Sequence, residues 1–270
     1  MKARVLVAVI GVPLLLIFML LLPAVCFGIL VGAICAFAAI EVIDAAAPGS
    51  DWFVKAASAI IALAMPIAAS LGVAAGEFFV LLLFIAVFAW AVMNYGTEQE
   101  MSIQRIMIYI FAGGLIPFLM TTLVSLRLMD NGKFYVLLPF IIAFLSDAGG
   151  YFAGVYLGEH EFMPKVSPRK TIEGCVGGFV FAILSLMIYG LVLKFGFHMD
   201  FSFPMAILYG LLGSAVTQLG DLAFSLLKRE YDIKDFGNIL PGHGGVLDRF
   251  DSMIFVAPLT ATLVVCLPLF

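Results

Sequence analysis

Apolar residues run through this chain in blocks about as long as a bilayer is thick, and polar residues gather between the blocks. Nine apolar segments are legible, at about residues 5–22, 24–42, 56–75, 78–96, 105–126, 134–157, 174–195, 204–227 and 251–270. A helix needs roughly 20 apolar residues to cross the hydrocarbon. The pattern therefore predicts an all-α, polytopic integral membrane protein with about nine transmembrane helices. Solid apolar runs argue against a membrane β-barrel, whose strands alternate apolar and polar residues. The breaks fall at Pro48-Gly49-Ser50-Asp51, Gly96-Thr97-Glu98, Asp130-Asn131-Gly132 and the stretch from Glu159 to Glu173, where turn formers and charge coincide. No long linker divides the chain. The reading is one transmembrane domain over 1–270, with N-terminal helices over about 1–133 and a C-terminal half over about 134–270 that carries the polar chemistry.

Composition and charge sharpen this picture. The chain is 64% hydrophobic and 12% charged, well beyond the roughly half-apolar makeup of soluble domains. With nine spans, one side holds Lys2, Arg4, Lys55, Arg105, Lys165, Arg169, Lys170, Lys228, Arg229, Lys234 and Arg249, and the other holds Arg127, Lys133 and Lys194. Basic residues collect on the cytoplasmic side of membrane proteins. The expected topology has a cytoplasmic N-terminus, an outside C-terminus and both long charged loops facing the cytoplasm, in a bacterial plasma (inner) membrane. The first segment follows Lys2 and Arg4 and reads as a retained signal-anchor helix, because it is too long for a signal-peptide core. The net charge of −4 says little about partners, and no nucleic-acid partner is expected. Cys26, Cys35, Cys175 and Cys266 lie in apolar segments without paired spacing and read as small buried hydrophobes.

Glycines recur four residues apart at Gly28/Gly32, Gly72/Gly76 and Gly150/Gly154/Gly158. Such spacing lets helix backbones approach closely in lipid and also fits a homodimer. Gly149-Gly150 follows Asp147 in mid-segment, where it would loosen the helix beside a polar cavity. An acid inside a span is costly and usually functional. Asp147 and Asp221 are such acids. Glu41 and Glu77 sit nearer segment ends and read as acids at the membrane interface.

The stretch from Ser225 to Asp251 holds four cations, five acids, a histidine and four glycines between two apolar segments. Asp221, Ser225, Lys228 and Arg229 fall on one helical face; Lys228 and Arg229 also suit plain anchoring at the membrane edge. The loop continues through Lys234-Asp235, Pro241-Gly242-His243-Gly244-Gly245 and Asp248-Arg249-Phe250-Asp251. Its glycines let backbone N–H groups approach an anion. Asp248 opens the last helix, where capping is its structural alternative, and Asp251 follows on the same face. Asp221, Asp248 and Asp251 are hard oxygen donors of the kind Mg²⁺ takes. No P-loop motif occurs, and His243 has no nucleophile partner. A second cluster, Pro164 to Gly174, presents Lys165, Arg169, Lys170 and Thr171 on a rigid basic loop, suited to phosphate or to anionic lipid headgroups.

These residues resemble the signature of the phosphatidate cytidylyltransferases, also called CDP-diglyceride synthases. Ser225, Lys228, Arg229, Lys234, Asp235, Gly237, Pro241, His243, Gly244, Gly245, Asp248, Arg249 and Asp251 fill that signature without departure. Ser146 to Tyr151 and Pro164 to Gly174 resemble the family's other blocks. The likeness covers roughly the C-terminal half; the first five segments match only in being apolar. The resemblance implies the reaction CTP plus phosphatidate giving CDP-diacylglycerol plus diphosphate, with Mg²⁺; the composition leaves a second, monovalent cation open. It implies that Asp221 and Asp248 hold metal, with Asp251 and Asp147 as further candidates. Lys228, Arg229 and His243 join the catalytic set. Ser225, Lys165, Arg169, Lys170, Thr171, Lys234, Gly244, Gly245 and Arg249 would bind the substrates. Two other readings fit parts of the sequence. One is a CTP-dependent lipid-alcohol kinase. The other is an ion-coupled transporter with Asp147 and Asp221 as midplane ion sites.

Overall fold

The computed structural model describes residues 2–239 and 244–270. Helices account for nearly all the regular structure, because backbone groups in hydrocarbon must be hydrogen-bonded within their own segment. In chain order they are α1 (Lys2–Leu16, continued by a π-helical turn at Ile17–Leu21), α2 (Ala24–Ala46), α3 (Trp52–Ser70), α4 (Gly76–Met93), α5 (Ile103–Ile110, with a second π-helical turn at Phe111–Leu115), α6 (Ile116–Met120), α7 (Thr122–Leu128), α8 (Gly132–Tyr135) and α9 (Leu137–Leu157). A short antiparallel hairpin follows, β1 (Glu161–Met163) and β2 (Ser167–Thr171). The rest are α10 (Ile172–Gly196), α11 (Phe203–Glu230), α12 (Leu247–Phe250) and α13 (Met253–Cys266). Among the described residues, eight helical stretches are long and apolar enough to cross a membrane, and a shorter apolar helix covers Val9–Leu21.

The chain folds as two compact units, Met1–Lys133 with Tyr231–Phe250, and Phe134–Glu230 with Asp251–Phe270. In the first, α2 and α3 pack backbone to backbone. A Cβ at Gly28 would lie 2.6 Å from Ser70 Cβ, and one at Gly32 would lie 2.5 Å from the Leu63 carbonyl. In the Gly72/Gly76 pair only Gly76 packs against another helix, where a Cβ would lie 3.1 Å from the Phe118 ring. Gly72 has φ +80° with open space around it, so it turns the chain after α3, a conformation that glycine adopts without a Cβ penalty. Asp51 starts α3 by accepting the Phe53 N–H at 2.7 Å, which moves this span upstream of the sequence expectation. Pro23 has no N–H for the carbonyl four residues back, that of Met19. Arg127 replaces the missing donor, its Nε reaching Met19 O at 2.6 Å and an Nη reaching Leu22 O at 3.4 Å. That guanidinium ties the ends of α1 and α7 together.

In the second unit α9 and α10 approach so closely that a Cβ at Gly149 would collide with Phe181 and lie 2.8 Å from the Gly177 carbonyl. Gly149-Gly150 therefore serves contact, and α9 runs through it unbroken; the expected loosening is absent. Gly210 meets Ile183 of α10 in the same manner, and Gly220 meets Ser252 and Phe255 near α13. The glycine faces that fitted a homodimer at Gly28/Gly32 and Gly150/Gly154 are spent on packing inside the chain. A buried polar ladder joins the helices. Ser146 Oγ and Ser214 Oγ are 2.8 Å apart, and Gln218 Nε2 donates to Ser214 Oγ and to the Cys175 carbonyl, each at 3.1 Å.

Candidate active site

The polar residues of the second unit meet where α11 runs out past the hairpin. Thr171 caps α10, its Oγ1 accepting the Gly174 N–H at 3.1 Å, so this hydroxyl has a structural task. His160 Nδ1 lies 2.6 Å from Glu173 Oε1 and closes the base of the hairpin. The pairing of β1 with β2 holds Lys165, Arg169 and Lys170 on one small scaffold, with Lys165 and Arg169 exposed. Arg229, at the end of α11, donates from Nε to the Val166 carbonyl at 3.3 Å. Lys170 turns the other way. Its ammonium lies 2.5 Å from Asp221 Oδ2 and 3.5 Å from the Gln218 carbonyl. Gln218 and Asp221 are one helical turn apart, so Lys170 sits over one face of α11. The pair is neither buried nor freely hydrated, with side chains 24% and 33% exposed. Ser225 stands one turn beyond Asp221, and Lys228 nearly another; α11 continues unbroken through both.

The first unit organises the other end of the signature with carboxylates on backbone amides. Asp248 is 7% exposed. Its Oδ2 accepts the N–H groups of Phe236 and Gly245, both at 2.9 Å. It thus reaches back along the loop. Gly244 has φ +84°, and a Cβ there would lie 2.9 Å from Asp248 Oδ2 and 3.2 Å from Asp235 Oδ1. A side chain is excluded on both conformational and steric grounds. Lys234 and Arg249 are exposed.

Sequence reasoning passed over the residue that anchors this loop. Glu41 of α2 is 4% exposed, not an acid at a hydrated interface. Its two oxygens accept the Val246 N–H at 2.9 Å and the Leu247 N–H at 2.8 Å. A Cβ at Gly237 would collide with Glu41 Oε1, and one at Gly245 would lie 2.5 Å from Oε2. The available signal was the acid itself, in a segment otherwise uncharged from residue 24 to residue 43.

Other expected site residues have other surroundings. Asp251 is buried, and its Oδ1 accepts the Ser252 N–H at 2.7 Å where the chain turns between α12 and α13. Asp147 lies in mid-α9 on an exposed face. His243 lies outside the described residues. Among the described residues, no three His, Cys, Asp or Glu side chains group as a metal-ion cage.

Comparison with known proteins places the chain. A phosphatidate cytidylyltransferase of Bacillus subtilis is 43% identical over 136 residues, 50% of this chain and 49% of the relative. One of Staphylococcus haemolyticus is 40% identical over 136 residues, covering 50% and 51%. One of Staphylococcus aureus is 43% identical over 138 residues, with the same coverage of 50% and 51%. The chain thus spans about half the length of the curated relatives it matches. The family profile runs further, matching residues 2–267 under the description cytidylyltransferase family. With nearly the whole chain inside that profile, and the hairpin, the Lys170–Asp221 pair and the Asp248 loop all within it, this protein belongs to the cytidylyltransferase family.

Proposed function

We propose that this protein is a phosphatidate cytidylyltransferase, making CDP-diacylglycerol and diphosphate from CTP and phosphatidate. What chiefly supports this reading is the complete signature from Ser225 to Asp251, in a family member whose compared relatives carry that name. In this reading an oxygen of the lipid phosphate attacks the α-phosphorus of CTP. A new phosphorus–oxygen bond forms, the bond from the α-phosphorus to the bridging oxygen breaks, and diphosphate leaves with that oxygen. The nucleophile is already an anion at neutral pH, so no strong general base is needed. The task is to bring anions together and to offset charge on the leaving group.

The residues suit that task in different ways. Arg169, Lys170, Lys228, Arg229 and Lys234 neutralise phosphate. Lys170 is paired with Asp221, a partly hydrated contact that its ammonium can exchange for a phosphate. The glycines at 244 and 245 leave room for the Asp248, Asp235 and Glu41 carboxylates to pack against the loop backbone. Asp221 and Asp248 are each hard-oxygen carboxylates of the kind that would hold magnesium, and the chemistry of either fits the ion. Magnesium commonly takes one or two carboxylates and completes its shell with phosphate and water, so a protein cage of three acids is not required. When bound, it would draw charge from the triphosphate and stabilise the diphosphate group as it departs.

The lipid acyl chains remain in the bilayer. The charge asymmetry of the loops supports a cytoplasmic site, where CTP is available.

The test is to incubate detergent-purified protein with phosphatidate and cytidine-labelled CTP, with and without Mg²⁺. Label should enter the lipid and diphosphate should appear, both lost on chelation. Phosphoryl transfer to a prenyl alcohol with CDP as product would favour the lipid-alcohol kinase instead.

A further inference from the structure

Glu41 is an expensive residue to place where it is. A carboxylate taken out of water needs strong hydrogen bonds in return, and this one finds them on a segment more than 200 positions away in sequence. Its oxygens take the Val246 and Leu247 amides at 2.9 and 2.8 Å. Asp248, the next residue, takes the Phe236 and Gly245 amides at 2.9 Å. The two carboxylates hold overlapping parts of one loop. Gly237 and Gly245 lie so close to Glu41 that neither has room for a Cβ. An amide donating to a fixed acceptor fixes its own peptide plane, and the planes at 246 and 247 lead directly into the backbone of Asp248.

We propose that Glu41 is the positioning residue of the signature loop, aiming Asp248 through the Val246 and Leu247 amides. This rests on the cytidylyltransferase reading above. The N-terminal helices then take part in the reaction, since one of them sets the geometry of a candidate metal ligand. Residues that orient a metal ligand typically contribute 10- to 100-fold to metal affinity or activity.

The test uses the full chain and three variants. Glu41→Gln keeps volume but turns an NH₂ group toward one of the two backbone donors. Glu41→Ala removes the acceptor. Gly245→Ala pushes a Cβ against the carboxylate and leaves Glu41 in place. Two quantities are read: hydrogen–deuterium exchange over residues 244–248, and the Mg²⁺ concentration that half-saturates CMP transfer. The expected result for Glu41→Gln is faster exchange over 244–248 and unchanged exchange across α9–α11. The half-saturating Mg²⁺ concentration should rise roughly 10-fold.

Wild-type exchange would overturn the proposal, as would faster exchange with an unchanged Mg²⁺ requirement, because Glu41 would then only brace the loop. If the Glu41 variants fail to fold, Gly245→Ala decides: the same two shifts are expected, and an unaltered Mg²⁺ requirement overturns the proposal. Wild-type protein that transfers no cytidylyl group to phosphatidate would instead overturn the cytidylyltransferase reading. The exchange comparison would still decide whether Glu41 holds the loop.

Discussion

The two ends of the signature are built on opposite principles. Near α11, Asp221 meets a flexible side chain, the Lys170 ammonium at 2.5 Å, and both groups keep about a quarter to a third of their surface in solvent. In the loop before α13, Asp248 and Glu41 meet backbone amides and are almost wholly buried. A lysine can leave its carboxylate for a phosphate at small cost, because a partly hydrated ion pair is worth little by itself. A backbone amide cannot leave without moving the chain. One region is therefore poised to exchange partners when anions arrive, while the other is fixed beforehand. Groups fixed beforehand spend no reorganisation energy at the moment of reaction.

The comparison can be broken most sharply at Asp248. Asp248→Asn should lower CMP transfer by about 10²- to 10³-fold, the scale seen when one charge-stabilising group is lost. Activity within a few-fold of wild type, measured with labelled CTP, would mean that the buried end is only structural. Lys170→Ala should act less severely. Loss of one charge-assisted contact is worth about 1.5–3 kcal/mol, so KM for CTP or phosphatidate should rise by about ten-fold or more. The melting temperature should change little, because the pair is partly exposed. A large fall in melting temperature with unchanged KM would make Lys170 a structural residue and remove the contrast.

Packing supplies the next test. Gly149→Leu forces a side chain into Phe181 and the Gly177 carbonyl. Overpacking of this kind costs about 1–3 kcal/mol, read as a lower unfolding temperature in detergent. Lys55→Ala should do least. It removes a surface pair with Asp44, worth at most about 1 kcal/mol, and transfer rates should match wild type.

Much of the fold could be read along the chain because the bilayer imposes a simple rule. Apolar length predicts helices, and the helices came within a few residues of the segments. Where boundaries moved, local caps decided, as Asp51 does for α3. The glycine pattern was legible only in part. Gly28, Gly32, Gly150 and Gly154 contact other helices, whereas Gly72 makes a turn, and spacing cannot distinguish these uses. Asp221 and Lys170 were each recognisable as candidates, but their partnership depends on the hairpin folding toward α11.

What the sequence by itself determined was the class of the protein and the kind of its chemistry. Runs of apolar residues specify membrane helices, and a cluster of cations, acids and glycines marks the candidate site. Only the tertiary structure decided that the loop from Tyr231 to Phe250 belongs with the N-terminal helices and that Glu41 holds it. The physical reason is that a backbone amide has no sequence signature. Val246 and Leu247 donate through groups that nearly every residue possesses, so the acceptor 205 residues away could be found only once the chain had folded.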